Sequence, residues 1–177
     1  MIEYTLSKST IVEIVQHQNG FAIESIQKDD IKEILILCAK VFSSIGSPEN
    51  IVRSVYNKTD WQISKKAVYN GKIVGCYLFN NQQIYEKFDL NDTNHVMEDL
   101  YPYTKKRGVQ GVALAVLKEF RGADFGRQLR DIPLHMGYDY IWGGHDYRLQ
   151  NREKWIKYGR RVVAEFDTSF YTLMDLK

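Results

Sequence analysis

The sequence is poor in features that would indicate a disulfide-stapled, metal-binding or membrane-embedded protein. It has only two cysteines, Cys38 and Cys76, which lie far apart, each within an apolar run. A disulfide framework needs more cysteines, and no C-x-x-C or His/Cys pairing offers a zinc site, so we expect buried, reduced thiols and no metal. No apolar stretch approaches the roughly 20 residues that span a bilayer, so we expect no membrane partner.

The chain also lacks a strong charge of either sign. Its formal net charge is +2, and its densest basic run is the short segment 105–107. Nucleic-acid-binding domains usually have a concentrated basic surface, so we expect no nucleic-acid partner. The first residues include acidic side chains and no apolar core segment, which predicts that there is no signal peptide and that the protein is cytoplasmic.

What the chain does have is enough apolar sequence for one folded domain. At 177 residues, with 44% hydrophobic and 13% aromatic residues, it can bury a sizeable core. No internal repeat or low-complexity tract is visible, so we treat residues 1–177 as a single domain. Within it, residues 1–20 are an N-terminal extension, which we expect to supply one strand of a hairpin that turns at Asn19-Gly20.

Hydrophobic periodicity and turn residues predict a chain that alternates between strands and helices. The predicted strands are the hairpin 10–26, the hairpin 63–69 and 73–79, and single strands at 111–116, 138–142, 161–166 and 170–176. The predicted helices are 29–42, 47–56, 124–135 and 149–158. Residues 80–107 are mixed and polar and form an insert of unassigned structure. This order predicts an α/β (α+β) fold in which helices cover a central sheet.

One segment combines the features of an anion site. Residues 116–127 (VLKEFRGADFGR) follow a predicted strand and open a predicted helix. A helix N-terminus presents unpaired N–H groups and a partial positive charge, which suit a phosphate. Gly122 and Gly126 let the backbone approach a ligand closely, and Arg121 and Arg127 add cationic donors. The alternative interpretation is an ordinary strand-to-helix turn.

This segment resembles the V-x-P-E-Y-R-G-x-G-x-G block of the GNAT superfamily of acyl-CoA-dependent N-acetyltransferases, which contains the pyrophosphate loop of that family. The residues in register are Val116, Glu119, Phe120, Arg121, Gly122 and Gly126. The order of elements also agrees from about Phe21 to Leu176. Two residues depart from the block: Asp124 replaces its middle glycine and Lys118 its proline.

The resemblance implies a mixed, mostly antiparallel central sheet flanked by helices, and transfer of an acetyl (acyl) group from acetyl-CoA to a primary amine. In the family, the amine attacks the thioester directly while both substrates are bound. Coenzyme A would contact backbone groups of the fourth core strand and the helix start. The implied cofactor-binding residues are Leu114, Val116, Arg121, Gly122, Ala123, Asp124, Phe125, Gly126, Arg127 and Asn151.

The resemblance leaves the proton-transfer residues open. Many family members use a glutamate on the fourth strand as the base, but residues 111–116 contain no acid. The base would then be Glu98 or Asp99 in the insert, or His145 or Asp146 after the fifth strand. We prefer His145, because histidine titrates near neutrality.

For the acid, family members often use a tyrosine four residues before the glycine of a second block. That position is Trp155 here, whereas Tyr158 has the correct spacing from Asn151. Tyr147 is a third candidate. Tyr158 is the preferred acid, and packing or surface roles are the alternative for it.

The acceptor is expected to be a small-molecule or peptide amine. The insert 80–107 is rich in acidic and aromatic residues, which would suit a cationic amine, so we expect it on the acceptor side. Two other functions remain open. One is a non-catalytic acyl-CoA-binding sensor or scaffold with the same fold, and the other is a structural or protein-interaction module without a cofactor. Assembly as a homodimer is also left open.

Overall fold

The computed structural model describes residues 21–90, 94–121, 124–148 and 152–176, and for residues 124–127 it describes the backbone alone. The first strand of the predicted hairpin 10–26 and its Asn-Gly turn lie outside these residues. The elements are β1 (Phe21–Ser25), α1 (Ile31–Val41), α2 (Pro48–Lys58), β2 (Asp60–Tyr69), β3 (Lys72–Asn80), β4 (Gly108–Val116), α3 (Asp124–Asp131), β5 (Tyr140–Asp146), α4 (Arg152–Lys157), β6 (Arg161–Glu165) and β7 (Ser169–Asp175).

The strands form one seven-stranded sheet in the order β1-β2-β3-β4-β5-β7-β6. Neighbouring strands are antiparallel, except that β4 and β5 run parallel. The predicted fold class, a mixed and mostly antiparallel sheet flanked by helices, is therefore confirmed. Within the described ranges, no helix combines the length and apolarity needed to cross a membrane.

Local sequence signals explain several boundaries. Asn70 and Gly71 have φ angles of 47° and 76°, the left-handed pair that a two-residue hairpin turn requires, so β2 and β3 meet where the Asn-Gly pair predicts. Ser47 begins α2, because its hydroxyl accepts a hydrogen bond from the Asn50 N–H at 3.4 Å, and Pro48 occupies the first helical turn.

The predicted end of the fifth strand at Trp142 is wrong. β5 continues to Asp146, because residues 143–146 pair with residues 169–172 of β7. The Gly143-Gly144 pair weakens the local strand signal, but the ladder with β7 holds this stretch extended. His145 and Asp146 therefore lie on the strand itself.

Helices α1 and α2 cover one face of the sheet over β3 and β4 through a core that includes Ile34, Leu37, Ile51 and Val55. Cys38 and Cys76 meet in this core with their sulfur atoms 3.8 Å apart. Both are free and buried, as the sequence predicts. On the opposite face, Leu129 of α3 packs in a second core.

The insert between β3 and β4 covers β5, β6 and β7. Its Ile84, Phe88 and Leu100 pack around Tyr140 and Trp142 of β5. Since side chains alternate along a strand, and Ile141 belongs to the core on the α3 face, the insert shares the α1/α2 face.

Ion pairs also join the insert to the sheet. Arg161 contacts Glu98 at 2.7 Å and Asp175 at 2.8 Å, and it donates a hydrogen bond to the Tyr103 hydroxyl. We call these four residues the insert cluster.

Candidate active site

The parallel pairing of β4 with β5 is short. It joins residues 108–110 to residues 140–142 and then ends, while β4 continues along β3 and β5 along β7. At the end of the paired stretch, a Cβ on Gly143 would lie 3.1 Å from the Gly111 carbonyl oxygen, so a side chain there would push the two strands slightly apart. We call the unpaired part of the two strands the splay.

The splay leaves backbone groups of β4 without a neighbouring strand. The Leu117 N–H donates to the Val74 carbonyl of β3 at 2.9 Å. Hydrogen-bonded and non-hydrogen-bonded positions alternate in an antiparallel pair, so every second residue counted back from Leu117 bonds to β3. Leu114 and Val116 are at the other positions, and their N–H and C=O groups therefore point away from β3 and into the splay. The Val116 carbonyl accepts a hydrogen bond from the Arg121 side chain at 2.9 Å.

The same argument applies to β5. The Tyr147 N–H donates to the Thr168 carbonyl at 3.2 Å, so by alternation Gly144 points its backbone groups away from β7 and into the splay. Both walls of the splay therefore present main-chain donors and acceptors.

A cleft of about 360 Å³ lies at the splay, between β4 and β5. Its walls come from both faces of the sheet, because Ile51 and Val55 of α2 lie on one face and Trp155 of α4 packs against His145 on the other. The cleft thus passes through the sheet, so that two molecules entering from opposite faces would meet inside it. Its lining residues are Phe42, Ile45, Gly46, Asn50, Ile51, Ser54, Val55, Tyr77, Gly111, Val112, Ala113, Leu114, Gly143, Gly144, His145, Asp146, Trp155 and Arg160.

Polar side chains in the cleft converge on Arg160, whose exposed fraction is 4%. Its guanidinium donates to the Tyr77 hydroxyl at 3.1 Å and to the Thr172 hydroxyl at 3.3 Å. Its Cζ lies 4.9 Å from the centre of the Trp155 ring. With His145, these residues form what we call the cleft cluster.

His145 is a neutral member of the cleft cluster. Its Nε2 lies 2.8 Å from the Thr172 hydroxyl, and its ring packs between Trp155 and Phe170. Burial, and secondly the positive charge of Arg160, lower its pKa to about 3. His145 lines the cleft, but the predicted titration near neutrality is wrong, because the ring is desolvated and faces a cation.

Asp146 is the only carboxylate lining the cleft in the described part of the chain. The Arg148 side chain donates hydrogen bonds to it at 2.6, 3.0 and 3.3 Å, and the Arg148 backbone N–H donates another at 2.8 Å. These bonds hold the pKa of Asp146 below its usual value, so it stays ionised near neutrality and is a weak base.

The other predicted proton-transfer residues lie away from the cleft. Glu98 is bound to Arg161 in the insert cluster. Tyr158 is exposed, with the Arg130 guanidinium 4.4 Å above its ring, and Tyr147 hydrogen-bonds Glu165. None of these three, and no described residue of the insert, lines the cleft. These placements argue against Glu98 as the base and Tyr158 as the acid, because neither reaches the splay.

The predicted pyrophosphate segment is described in part. Helix α3 begins at Asp124, and the backbone of Phe125, Gly126 and Arg127 belongs to it. Gly122, Ala123 and Asn151 lie outside the described residues. Arg121 is exposed, and its contact with Val116 joins this segment to the splay.

Sequence reasoning missed Tyr77, Thr172 and Arg160. Tyr77 and Thr172 are ordinary strand residues in the sequence. Arg160 stands beside a second arginine, and only the structure distinguishes the buried residue from its half-buried neighbour.

No protein-family model matches the sequence, and a search of curated proteins finds no match. Solved structures do match. The PaiA N-acetyltransferase from Thermoplasma acidophilum, in complex with coenzyme A, aligns over 88% of this chain and 98% of its own, with a TM-score of 0.59 and 11% identity. The loading GNATL domain of CurA from Lyngbya majuscula aligns over 88% and 98%, with a TM-score of 0.60 and 15% identity.

A third similar structure is Arabidopsis thaliana Naa50 in complex with the bisubstrate analogue CoA-Ac-MVNAL. It aligns over 87% of this chain and 97% of its own, with a TM-score of 0.56 and 15% identity. At these identities the likeness concerns the fold, and it extends over nearly the whole of each structure. Together with the strand order and the splay between β4 and β5, it shows that this chain has the fold of the GNAT acyltransferases.

Proposed function

We propose that the protein transfers an acetyl or related acyl group from coenzyme A to a primary amine, with both substrates bound at once. The observation that carries this proposal is the cleft that passes through the sheet at the splay, lined by main-chain groups without strand partners. The thioester would enter from the face of α3 and α4, and the amine from the face of α1 and α2.

The residues that would hold coenzyme A fit an extended, anionic thioester. The start of α3 would bind its pyrophosphate, with Arg121 and Arg127 as cationic donors. Leu114 and Val116 would pair their backbone groups with the amide-containing arm of the coenzyme. The bound coenzyme supplies the activated acyl group.

The N–H groups of the splay would also stabilise negative charge that develops on the thioester carbonyl oxygen. Leu114 is the best placed of these donors, because its N–H points into the cleft and it also lines the cleft wall. An oriented donor of this kind contributes about 3 kcal/mol to catalysis.

In the transfer, a C–N bond to the amine forms as the C–S bond of the thioester breaks; water would accept the proton that the nitrogen loses and supply the one that the coenzyme A thiolate gains. Within the described lining, His145 and Asp146 both have lowered pKa values, so neither is a strong base near neutrality. Glu98 and Tyr158 take no part in the proposed mechanism because they lie outside the cleft. We propose that His145, held by Thr172, orients the uncharged amine through a hydrogen bond.

Thiol release tests the activity. Incubation with acetyl-CoA and a panel of amines should release free thiol with at least one acceptor class, and polyamines, aminoglycosides, amino acids and peptides form a suitable panel. Thiol that never appears, despite tight binding of coenzyme A, would instead establish the second candidate, a non-catalytic acyl-CoA sensor or scaffold. The weak bases in the cleft favour that alternative.

Substitution at the helix start tests the cofactor site. Gly126→Trp should raise the Kd for acetyl-CoA at least tenfold, about 1.4 kcal/mol, because the indole would occupy the pyrophosphate position. Calorimetric titration measures this affinity. Leu134→Trp is the control, since Leu134 is exposed just beyond α3 and its substitution should leave the affinity unchanged. Wild-type affinity in folded Gly126→Trp would place the pyrophosphate elsewhere.

A further inference from the structure

Arg160 is a buried cation whose contacts are all uncharged. Its exposed fraction is 4%, and its partners are two hydroxyl groups and an indole ring. Among the residues that the structure describes, no carboxylate forms an ion pair with it. Burial of a charge without a counter-ion costs several kcal/mol, roughly, even after local relaxation.

A second buried cation shows the usual arrangement. Lys66 is 8% exposed, and its amine lies 2.7 Å from Asp30 and 3.4 Å from Glu24. Two carboxylates therefore neutralise Lys66 at its buried position. Arg160, which lines the cleft, has no such partner among the residues that the structure describes.

The neighbours of Arg160 in the cleft do not neutralise it. His145 is uncharged near neutrality and adds no negative charge. Asp146 is ionised, but its oxygens are bound by Arg148. A guanidinium has five N–H donors, and Tyr77 and Thr172 accept only two in the described structure. Donors therefore remain for an incoming ligand.

We propose that Arg160 binds a carboxylate carried by one of the two reactants in the cleft. This inference rests on the proposed acyl transfer and narrows its substrate class. The carboxylate belongs either to the acceptor, which would be an amino acid or similar amino carboxylate, or to the acyl group, which would come from a dicarboxylic acid. Both sources present the planar oxygen pair that a guanidinium binds well.

Matched substrates separate the two sources. With acetyl-CoA as donor, 4-aminobutyrate is compared with n-butylamine, and phenylalanine with phenylalaninamide. With one common amine as acceptor, succinyl-CoA is compared with butyryl-CoA. We expect kcat/KM to be at least tenfold higher for the carboxylate-bearing member in one of these arms. Calorimetry with the same compounds, adding acceptors in the presence of coenzyme A, measures the preference in binding.

Arg160→Gln should abolish the preference, and Arg160→Lys, which keeps the charge, should retain part of it. Arg161→Gln is the matched control, because Arg161 is adjacent in sequence but belongs to the insert cluster, and this variant should keep the full preference. Circular dichroism and thermal unfolding verify that each variant is folded.

The outcomes are distinct. A preference that is absent from both turnover and binding, or one that persists in folded Arg160→Gln, overturns the proposal even where acyl transfer is observed. Conversely, an Arg160-dependent preference in binding without any thiol release supports the carboxylate site and contradicts the proposed transfer reaction.

Discussion

Two neighbouring arginines serve two differently built regions of the molecule. Arg161 lies in the insert cluster, where Glu98 and Asp175 neutralise it. Arg160 lies in the cleft cluster on the opposite face, where its described partners are neutral. The insert cluster is complete within the chain, whereas the cleft cluster has a positive charge that a ligand can neutralise.

This difference separates groups that hold the fold together from groups available for function. A paired and hydrogen-bonded charge fixes two segments against each other, and here it ties the insert to β6 and β7. An unpaired buried charge lowers stability and persists where function requires it. We therefore expect substitutions of Arg160 and of Arg161 to change stability with opposite sign.

Steric disruption of the insert region should have the largest effect. A Cβ on Gly108 would lie 2.1 Å from Cζ of Tyr140, a buried ring that packs against the insert. Gly108→Val should lower the free energy of unfolding by about 3 kcal/mol, measured by urea denaturation. Gly46→Ala at the cleft is the control, because its nearest neighbour would be Ile51 at 3.7 Å, and it should be nearly neutral. Equal losses would refute the packing argument.

Acid should weaken the cleft cluster before the insert cluster. His145 has a folded-state pKa of about 3 against an ordinary value of 6.5, so the unfolded chain binds the proton more readily. The contribution of neutral His145 to the free energy of unfolding is therefore complete above pH 6.5 and is lost as the pH falls towards 3. Between pH 6.5 and about 5 the loss should reach about 2 kcal/mol.

Asp175 provides the contrast in the same experiment. Burial acts to raise its pKa, but hydrogen bonds from Arg161 and Lys106 outweigh burial and hold the pKa below its usual 3.8. The contribution of ionised Asp175 to the free energy of unfolding is therefore lost only as the pH falls below about 4. Urea denaturation at several pH values measures both ranges. His145→Gln should remove the loss above pH 5, and an unchanged pH dependence in that variant would contradict the assignment.

Substitution of Arg160 or Arg161 should give the smallest changes in stability, but the two changes should differ in sign. Arg160→Met should raise the free energy of unfolding by about 1 kcal/mol without ligand, since it removes an uncompensated buried charge. Arg161→Met should lower it by about 1 kcal/mol or less, because its ion pairs are partly exposed. Thermal and urea unfolding measure both. A loss of stability in both variants would show that Arg160 is neutralised within the protein.

Much of the fold could be predicted because its signals are local. The Asn70-Gly71 turn and the Ser47 cap act within a few residues, and hydrophobic period reports which face each element buries. The end of β5 could not be predicted in this way. Gly143 and Gly144 resemble a loop in sequence, and their extended form depends on pairing with β7.

The part of the candidate site that could be predicted from the sequence is the part formed by main-chain groups. Leu114 and Val116 follow from their place on a strand, because their main-chain groups are involved whatever their side chains. Glu98 is a candidate because it is an acid in the insert and Tyr158 because of its spacing from Asn151, but the structure puts both outside the cleft. His145 lines the cleft, but its lowered pKa could not be predicted, since desolvation depends on neighbours from α4 and β7.

The amino-acid sequence is enough to predict the order of the elements, the Asn70-Gly71 hairpin turn, the helix cap and the strand whose backbone faces the splay. Tertiary structure alone decided where β4 and β5 stop pairing, which arginine is buried and which histidine is kept neutral. The physical reason is how far apart in sequence the interacting residues lie. Turns, caps and periodicity arise from residues close together in the chain, whereas burial and the field at a charge arise from segments far apart in sequence.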